Sequence, residues 1–256
     1  MQNALLVGLS RQVALGRELD VVANNIANIN TAGYKADGSL FEEYLSSSAR
    51  ASGLARADSR VSFVRDRGTW HDMTQGPVER TGNPLDISID GAGFLVVNTP
   101  RGERYTRNGG LQISAKGTLV TSEGHEVVGG SGPITLQPTD RDIAISQSGT
   151  VSVREGSSSG DSIRGKLQIV QFDSKQLMQL RKEGSGTFMA PAGVAPAPDT
   201  KSRIVQGVIE KSNVRGVVEI TRMIEITRSY MQVSTMLQQQ NDLRGNAINK
   251  LADVPA

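Results

Sequence analysis

Apolar positions along the chain change their period twice. From Leu5 to Ile29 they recur at steps of four and three: Leu5, Leu9, Gln12, Gly16, Leu19, Ala23 and Ile26. A neighbouring stripe runs Leu15, Leu19, Val22, Ile26 and Ile29. This spacing predicts a helix whose apolar face is wide enough to need a partner. It is expected to stop near Thr31–Gly33, where Gly accepts the left-handed end conformation. The same period returns after residue 213. Val217, Ile220, Ile224, Thr227, Met231 and Ser234 form one stripe, and Ile226, Tyr230, Val233 and Leu237 widen it. Ser212 or Asn213 is the expected N-cap. Glu219, Arg222, Glu225 and Arg228 make an alternating charge ladder, each pair worth ~0.2–0.5 kcal/mol if exposed.

Between the two helices the period shortens to two. Asp86–Ile89 alternates polar and apolar before an Asp90-Gly91 turn, and Phe94–Val97 reads as a buried strand. Three hairpins are expected. One joins Tyr105–Arg107 to Leu111–Ser114 through Asn108-Gly109-Gly110. Another turns at Lys116-Gly117, and a third joins Ile143–Ser146 to Val151–Val153. Leu167–Phe172 is a further strand. Short strands with frequent turns predict an antiparallel sandwich or barrel-like domain. Ser46–Arg60 and the proline-rich Glu183–Arg203 read as loops. The resulting order is an N-terminal helix over 1–35, a linker or extended segment over 36–75, a β-rich domain over 76–212 and a C-terminal helix over 213–256.

Composition narrows the function. At 256 residues the chain can build a real core. There are 28 basic and 26 acidic residues, a formal net charge of +2, which does not suggest an electrostatic nucleic-acid binder. With no cysteine there is neither a disulfide framework nor a thiol nucleophile, and two histidines cannot make a three-histidine metal site within one chain. Apolar runs fall far short of the roughly 20 residues needed to span a membrane. Ala4–Leu9 is too short for a signal-peptide core, and no Lys or Arg precedes it. No cofactor and no metal are expected.

Candidate chemistry is thin. Gly156-Ser157-Ser158-Ser159-Gly160 matches the spacing of a nucleophile elbow but lacks the apolar strand before it and the helix after it. Gly129-Gly130-Ser131-Gly132 lacks the Gly-Lys-Ser/Thr ending of a phosphate cradle, and a β-turn before a strand at Pro133 is expected instead. His71 and His125 stand in no metal-binding spacing. Trp70 and Phe63 could mark a binding surface, but packing at a domain edge is the stronger expectation for a tryptophan.

The most distinctive stretch is Ala23–Lys35, ANNIANINTAGYK. Asn is a poor helix former, yet Asn24, Asn25 and Asn28 crowd into little more than one turn of an apolar helical pattern. Two readings remain open. The amides cap backbone groups at a fraying helix end, or they hydrogen-bond across a helix–helix seam and fix its register.

This stretch, with Asn25-Ile26-Ala27-Asn28 followed by Thr31-Ala32-Gly33-Tyr34-Lys35, resembles the signature of the bacterial flagellar rod and hook family. Pro84–Ile89 with Gly91, Gly93–Val97 and Tyr105–Gly109 resemble that family's central domain. Gly207–Val214 and the helix after it resemble its C-terminal region. The similarity covers nearly the whole chain in the right order, and the length suits a rod subunit with one β domain. Gly132–Thr135, Asp142–Ile145 and Ser148–Val151 resemble the proximal-rod member, and also the distal-rod one. One departure stands in the last helix, where Arg228-Ser229-Tyr230 is followed by Met231 and the family often has Glu.

The resemblance implies a structural, non-enzymatic subunit that leaves the cytoplasm through the flagellar type III export apparatus without a cleaved signal. It implies assembly with copies of itself and other rod proteins into a tube crossing the periplasm, with no nucleic-acid partner and no membrane insertion. The terminal helices would pair as a coiled-coil-like inner layer, ordered or not in the free monomer, with the β domain outside. The expected interface residues are Leu5, Leu9, Leu19, Asn24, Asn25, Ile26, Asn28, Thr31, Gly33 and Tyr34 on the N-terminal side. Asn213, Val214, Ile220, Ile224, Tyr230, Val233 and Leu237 complete it on the C-terminal side. Other readings compete: a distal-rod or hook-type axial subunit of the same family, and more remotely a carbohydrate-binding or adhesive β module, disfavoured by only ten aromatics, or an esterase-type hydrolase built on Ser158.

Overall fold

The computed structural model describes residues 2–46, 61–156, 160–184 and 186–252. In chain order the first elements are α1 (Gln2–Ala27), β1 (Asp37–Ser46), β2 (Val61–His71), β3 (Val78–Arg80), β4 (Ile87–Asp90), β5 (Phe94–Thr99) and β6 (Gly102–Thr106). Then come β7 (Leu111–Ile113), β8 (Leu119–Thr121), β9 (Glu126–Gly129), β10 (Gly132–Pro133), β11 (Asp140–Ile145), β12 (Thr150–Glu155), β13 (Asp161–Lys166) and β14 (Ile169–Gln171). A short α2 (Ser174–Leu177) precedes β15 (Arg181–Glu183), β16 (Thr187–Met189), β17 (Ala197–Pro198), β18 (Arg203–Gln206), β19 (Val208–Glu210) and the long α3 (Gly216–Ala252). The chain divides into two compact units. One comprises Met1–Ala27, Asp37–Trp70 and Arg215–Ala256; the other comprises Asn28–Ala36 and His71–Val214.

The second unit is the expected β domain, with antiparallel pairing throughout its described ladders. Its main sheet runs β15-β16-β6-β5-β9-β8-β7, with β14 also on β5. β5 explains the sandwich. Alternate side chains of a strand point to opposite faces, and here both faces are covered. Leu95 and Val97 join a core with Val127, Leu119, Ile134 and, from the separate β11-β12-β13 sheet, Ile145, Val151 and Val153. Phe94 and Val96 enter a second core with Tyr105, Phe172, Leu180 and Phe188. Much of the chain's scarce aromatic content gathers there edge to face. Phe94 lies 5.7 Å from Phe172 and 5.9 Å from Phe188, and Tyr105 lies 4.9 Å from Phe172.

The first unit holds α1, α3 and the β1–β2 ribbon. The helices run antiparallel. Glu18 accepts from Arg222 at 2.7 Å, and nearer the N-terminus Gly8 lies against Leu237. A Cβ at Gly8 would sit 2.7 Å from the Leu237 side chain, so the glycine sets this close approach.

Several expectations change here. The first helix ends at Ala27, before Thr31–Gly33, because residues 28–33 form a turn in which Thr31 donates to the Asn28 carbonyl. Gly33 does take the left-handed conformation (φ 66°), but several residues past the helix end. Within residues 36–75, expected as a linker or extended segment, the described residues include the paired strands β1 and β2. Their proposed loop, Ser46–Arg60, falls almost wholly outside the described residues. The hairpin expected at Asn108–Gly110 does not form: β6 pairs with β5 and β16, while β7 pairs with β8. The Asn108 side chain accepts from Gly110 N–H, and the Gly109 carbonyl accepts from Ile87 N–H. The chain therefore crosses towards β4 without folding back. The hairpins at Gly117 and between β11 and β12 form as expected, and β10 folds back on β9 at Gly129–Gly132. Strands β16 and β17 lie inside the expected Glu183–Arg203 loop. α3 begins at Gly216, later than a cap at Ser212 or Asn213 requires, because those side chains are engaged elsewhere: Ser212 Oγ accepts from Val214 N–H, and Asn213 is described below.

Candidate functional site

The N-terminal signature residues separate into two groups. Asn25, in the last turn of α1, is fully buried. Its amide meets Asp37 like the rung of a ladder: Nδ2 donates to the Asp37 carbonyl at 2.8 Å, and Oδ1 accepts from Asp37 N–H at 2.8 Å. One side chain thus completes both backbone groups of the first residue of β1 and fixes how the ribbon leaves the helix. Asn24 is exposed, and Asn28 accepts from the Thr31 hydroxyl at 3.2 Å.

Residues 33–36 form the second group, with the C-terminal motif. Gly33 N–H donates to the Glu210 carbonyl at 2.8 Å. Gly33 also lies against the backbone of Arg107 and Asn108, so a Cβ there would strike it. Tyr34 is buried, with the Lys182 ammonium 3.4 Å above its ring centre. Lys182 also donates to the Lys35 carbonyl at 2.7 Å. Asn213 bridges three segments: Oδ1 accepts from Ala36 N–H at 2.7 Å, and Nδ2 donates to the carbonyls of Asp72 at 2.8 Å and Thr74 at 3.1 Å. Val214 is buried beside it in sequence.

At the centre stands Lys35, with no exposed surface. Its Nζ donates to Glu210 Oε1 at 2.5 Å and to the Thr74 carbonyl at 2.7 Å. Glu210 Oε1 also accepts from Gly76 N–H at 3.1 Å. Arg107 lies behind, with Nη1 3.7 Å from Glu210 Oε2. It donates to the carbonyls of Ile89 and Gly91 and covers the Phe94 ring at 5.0 Å. Burial pushes the Lys35 ammonium below its usual range, against the pull of Glu210. Burial likewise lowers Arg107, and Glu210 and Asp199 oppose it. Lys35, Arg107 and Glu210 stood within the family-like motifs without an assigned role. The available signal was a lysine directly after the apolar Tyr34 and a glutamate in the alternation of Val208–Glu210.

The helix residues are placed differently. Val233 is buried and Leu237 partly so, whereas Ile220, Ile224 and Tyr230 are exposed. On α1, Leu5, Leu19 and Ile26 are partly buried and Leu9 is 49% exposed. Leu6, Val13, Val217, Met231, Leu243 and Ile248 add to the uncovered apolar surface, Val217 at 81%. Trp70 is 52% exposed, against the packing expectation; its indole lies across Gly38, where a side chain would collide with it. Phe63's side chain and Ser158 lie outside the described residues. His71 packs edge-on to Phe188, and His125 approaches Glu123 at 3.6 Å. Among the described residues no three His, Asp or Glu side chains gather to hold a metal, and no helix is long and apolar enough to cross a membrane.

Comparison with known proteins matches three stretches of the chain. Residues 5–35 match the flagella basal body rod protein family, 88–153 the flagellar hook protein FlgE/F/G D1 domain, and 205–250 the C-terminal region of flagellar basal body rod FlgEFG proteins. The chain belongs to the flagellar basal-body rod protein family. Within it, the chain is 38% identical to the flagellar basal-body rod protein FlgF of Caulobacter vibrioides over 99% of this chain and 100% of that one. It is 32% identical to FlgF of Mesorhizobium japonicum over 98% of both. It is also 32% identical to FlgG of Agrobacterium fabrum, over 94% of this chain and 96% of that one.

Proposed function

We propose that the chain is a structural, non-enzymatic subunit of the flagellar rod, in the FlgF-like position, assembling head to tail with its own copies and other rod proteins. Heterologous contacts of this kind build open helical tubes. The observation that carries the reading is the apolar surface left uncovered on α1 and α3. Leu9, Val13, Val217, Ile220 and Ile224 keep a third or more of their surface in water, and larger exposed patches of this kind mark interaction sites. Neighbouring subunits would cover them, and α1 and α3 would pair as a coiled-coil-like inner layer, with Leu5, Leu19, Ile26, Tyr230, Val233 and Leu237 along the seam. Asn24, Asn25 and Asn28 would specify register within or between subunits, and Thr31, Gly33, Tyr34, Asn213 and Val214 would belong to the same assembly interface. The tube would carry torque across the periplasm, and the subunit would reach it through the type III export apparatus without a cleaved signal.

The test is Leu9→Glu and Ile224→Glu, singly and together. The expected result is an unchanged melting profile of the free subunit with loss of rod incorporation and of motility. Normal motility with both substitutions contradicts the reading. A distal, FlgG-like position is the second reading, favoured by the 32% identity to a FlgG over nearly the full length. Gold-labelled antibody on isolated basal bodies separates the two by where along the rod it binds.

A further inference from the structure

The ion pair at the centre of the β unit contains one anion and two cations. Glu210 gives Oε1 to Lys35 and Gly76. Its Oε2 is buried without a hydrogen bond, and so is Nε of Arg107, whose Nη1 stands 3.7 Å from that oxygen. A pair built only for permanence would leave neither group unmet, since a buried unsatisfied polar atom is costly. Lys35 reaches the carboxylate from segment 28–36, whereas Arg107 follows β6 and is anchored by Ile89 and Gly91 of the β unit itself. The described bonds that also hold this segment come from backbone groups of 72 and 208–213, the Asn213 amide and the Lys182 ammonium, which water can replace when the segment lifts.

We propose that residues 28–36 are a releasable latch: when Lys35 withdraws, Arg107 closes on Glu210, so the segment opens and recloses without stranding a buried carboxylate or unfolding the β unit. The usual penalty for removing one partner of a buried pair comes from the charge left behind, and a second cation already in place removes it. The latch closes against residues 208–213, where Glu210 receives both Lys35 Nζ and Gly33 N–H, and against Asp72, Thr74 and Lys182. A chain lacking residues 208–213 has no Glu210 to receive Lys35 Nζ and Gly33 N–H, and its N-terminal signature is left open. This holds whether or not the chain is a rod subunit.

The test uses the full chain carrying Lys35→Met. Hydrogen exchange read by mass spectrometry should show residues 28–36 and 208–213 exchanging faster together, by roughly tenfold or more, with β5 and β6 unchanged. A crystal structure of the same variant should place Arg107 within ordinary hydrogen-bond reach of Glu210, below about 3.2 Å. The proposal is overturned if Lys35→Met speeds exchange across β5 and β6 as much as in the latch. It is equally overturned if Arg107 keeps its 3.7 Å distance while the latch opens.

Discussion

The two units of this chain treat their apolar side chains in opposite ways. In the β unit Leu95, Val97, Val127 and Phe188 have no exposed surface, and strand β5 is covered on both faces. In the helical unit Val13, Val217, Leu243 and Ile248 keep more than half of theirs. Both units arise from regular hydrophobic patterning. Yet the sheet closes its pattern on itself, while two helices and a two-stranded ribbon cannot. A two-helix layer buries one stripe of each helix and leaves the rest to water or to a partner. One unit is thus a finished fold, and the other is stable in proportion to what binds it.

The strongest way to break the contrast is to open the finished core. Phe188→Ala removes a fully buried ring that meets both Phe94 and His71, and should cost about 3–5 kcal/mol. A denaturant melt of the free subunit reads this directly, and a loss no larger than a surface substitution's would dissolve the contrast. Next comes Asn25→Ala, which leaves both backbone groups of Asp37 without their buried partner. About 1–3 kcal/mol should be lost, and exchange at Asp37–Phe41 should rise while the β5 amides stay protected. Val217→Gln sharpens the comparison from the other side. Its side chain is already mostly in water, so the free subunit's stability should move by less than about 0.5 kcal/mol, and a large drop would mean the helical face is covered within the subunit.

The smallest effect is a pH dependence confined to the β unit. Arg164 hydrogen-bonds the Asp140 carboxylate and holds it below its ordinary value. The folded chain therefore stays deprotonated where the unfolded chain takes up a proton. The resulting stabilisation is complete above the unfolded value, about pH 4, and is lost as pH falls through the folded one. Asp140→Asn should flatten the acid limb of the stability profile and leave the neutral plateau shape unaltered.

Much of this was legible in the sequence, for identifiable reasons. Helices α1 and α3 and strand β5 follow from local period alone. The hairpins at Gly117 and Ser148-Gly149 follow from turn chemistry, and both appear. What was not legible depends on partners distant in sequence. The Asn108–Gly110 turn has ordinary hairpin composition, and only the approach of Ile87 to Gly109 diverts it. Asn213 looks like a helix cap until Ala36, Asp72 and Thr74 claim its amide. Of the two readings of the asparagine cluster, Asn25 completes backbone groups, though those of a strand and not of the helix end. Lys35 and Glu210 are separated by most of the chain, and no local pattern joins them.

The central claim is that the uncovered faces of α1 and α3 are the surfaces by which subunits join. The chain contains no cysteine, so Leu9→Cys or Ile224→Cys each introduces a single thiol at a known exposed position. Maleimide labelling of these variants, in the free subunit and in isolated basal bodies, tests the claim most directly. Both thiols should label rapidly in the free subunit and be strongly protected after assembly. Equal labelling in the two states would contradict the claim.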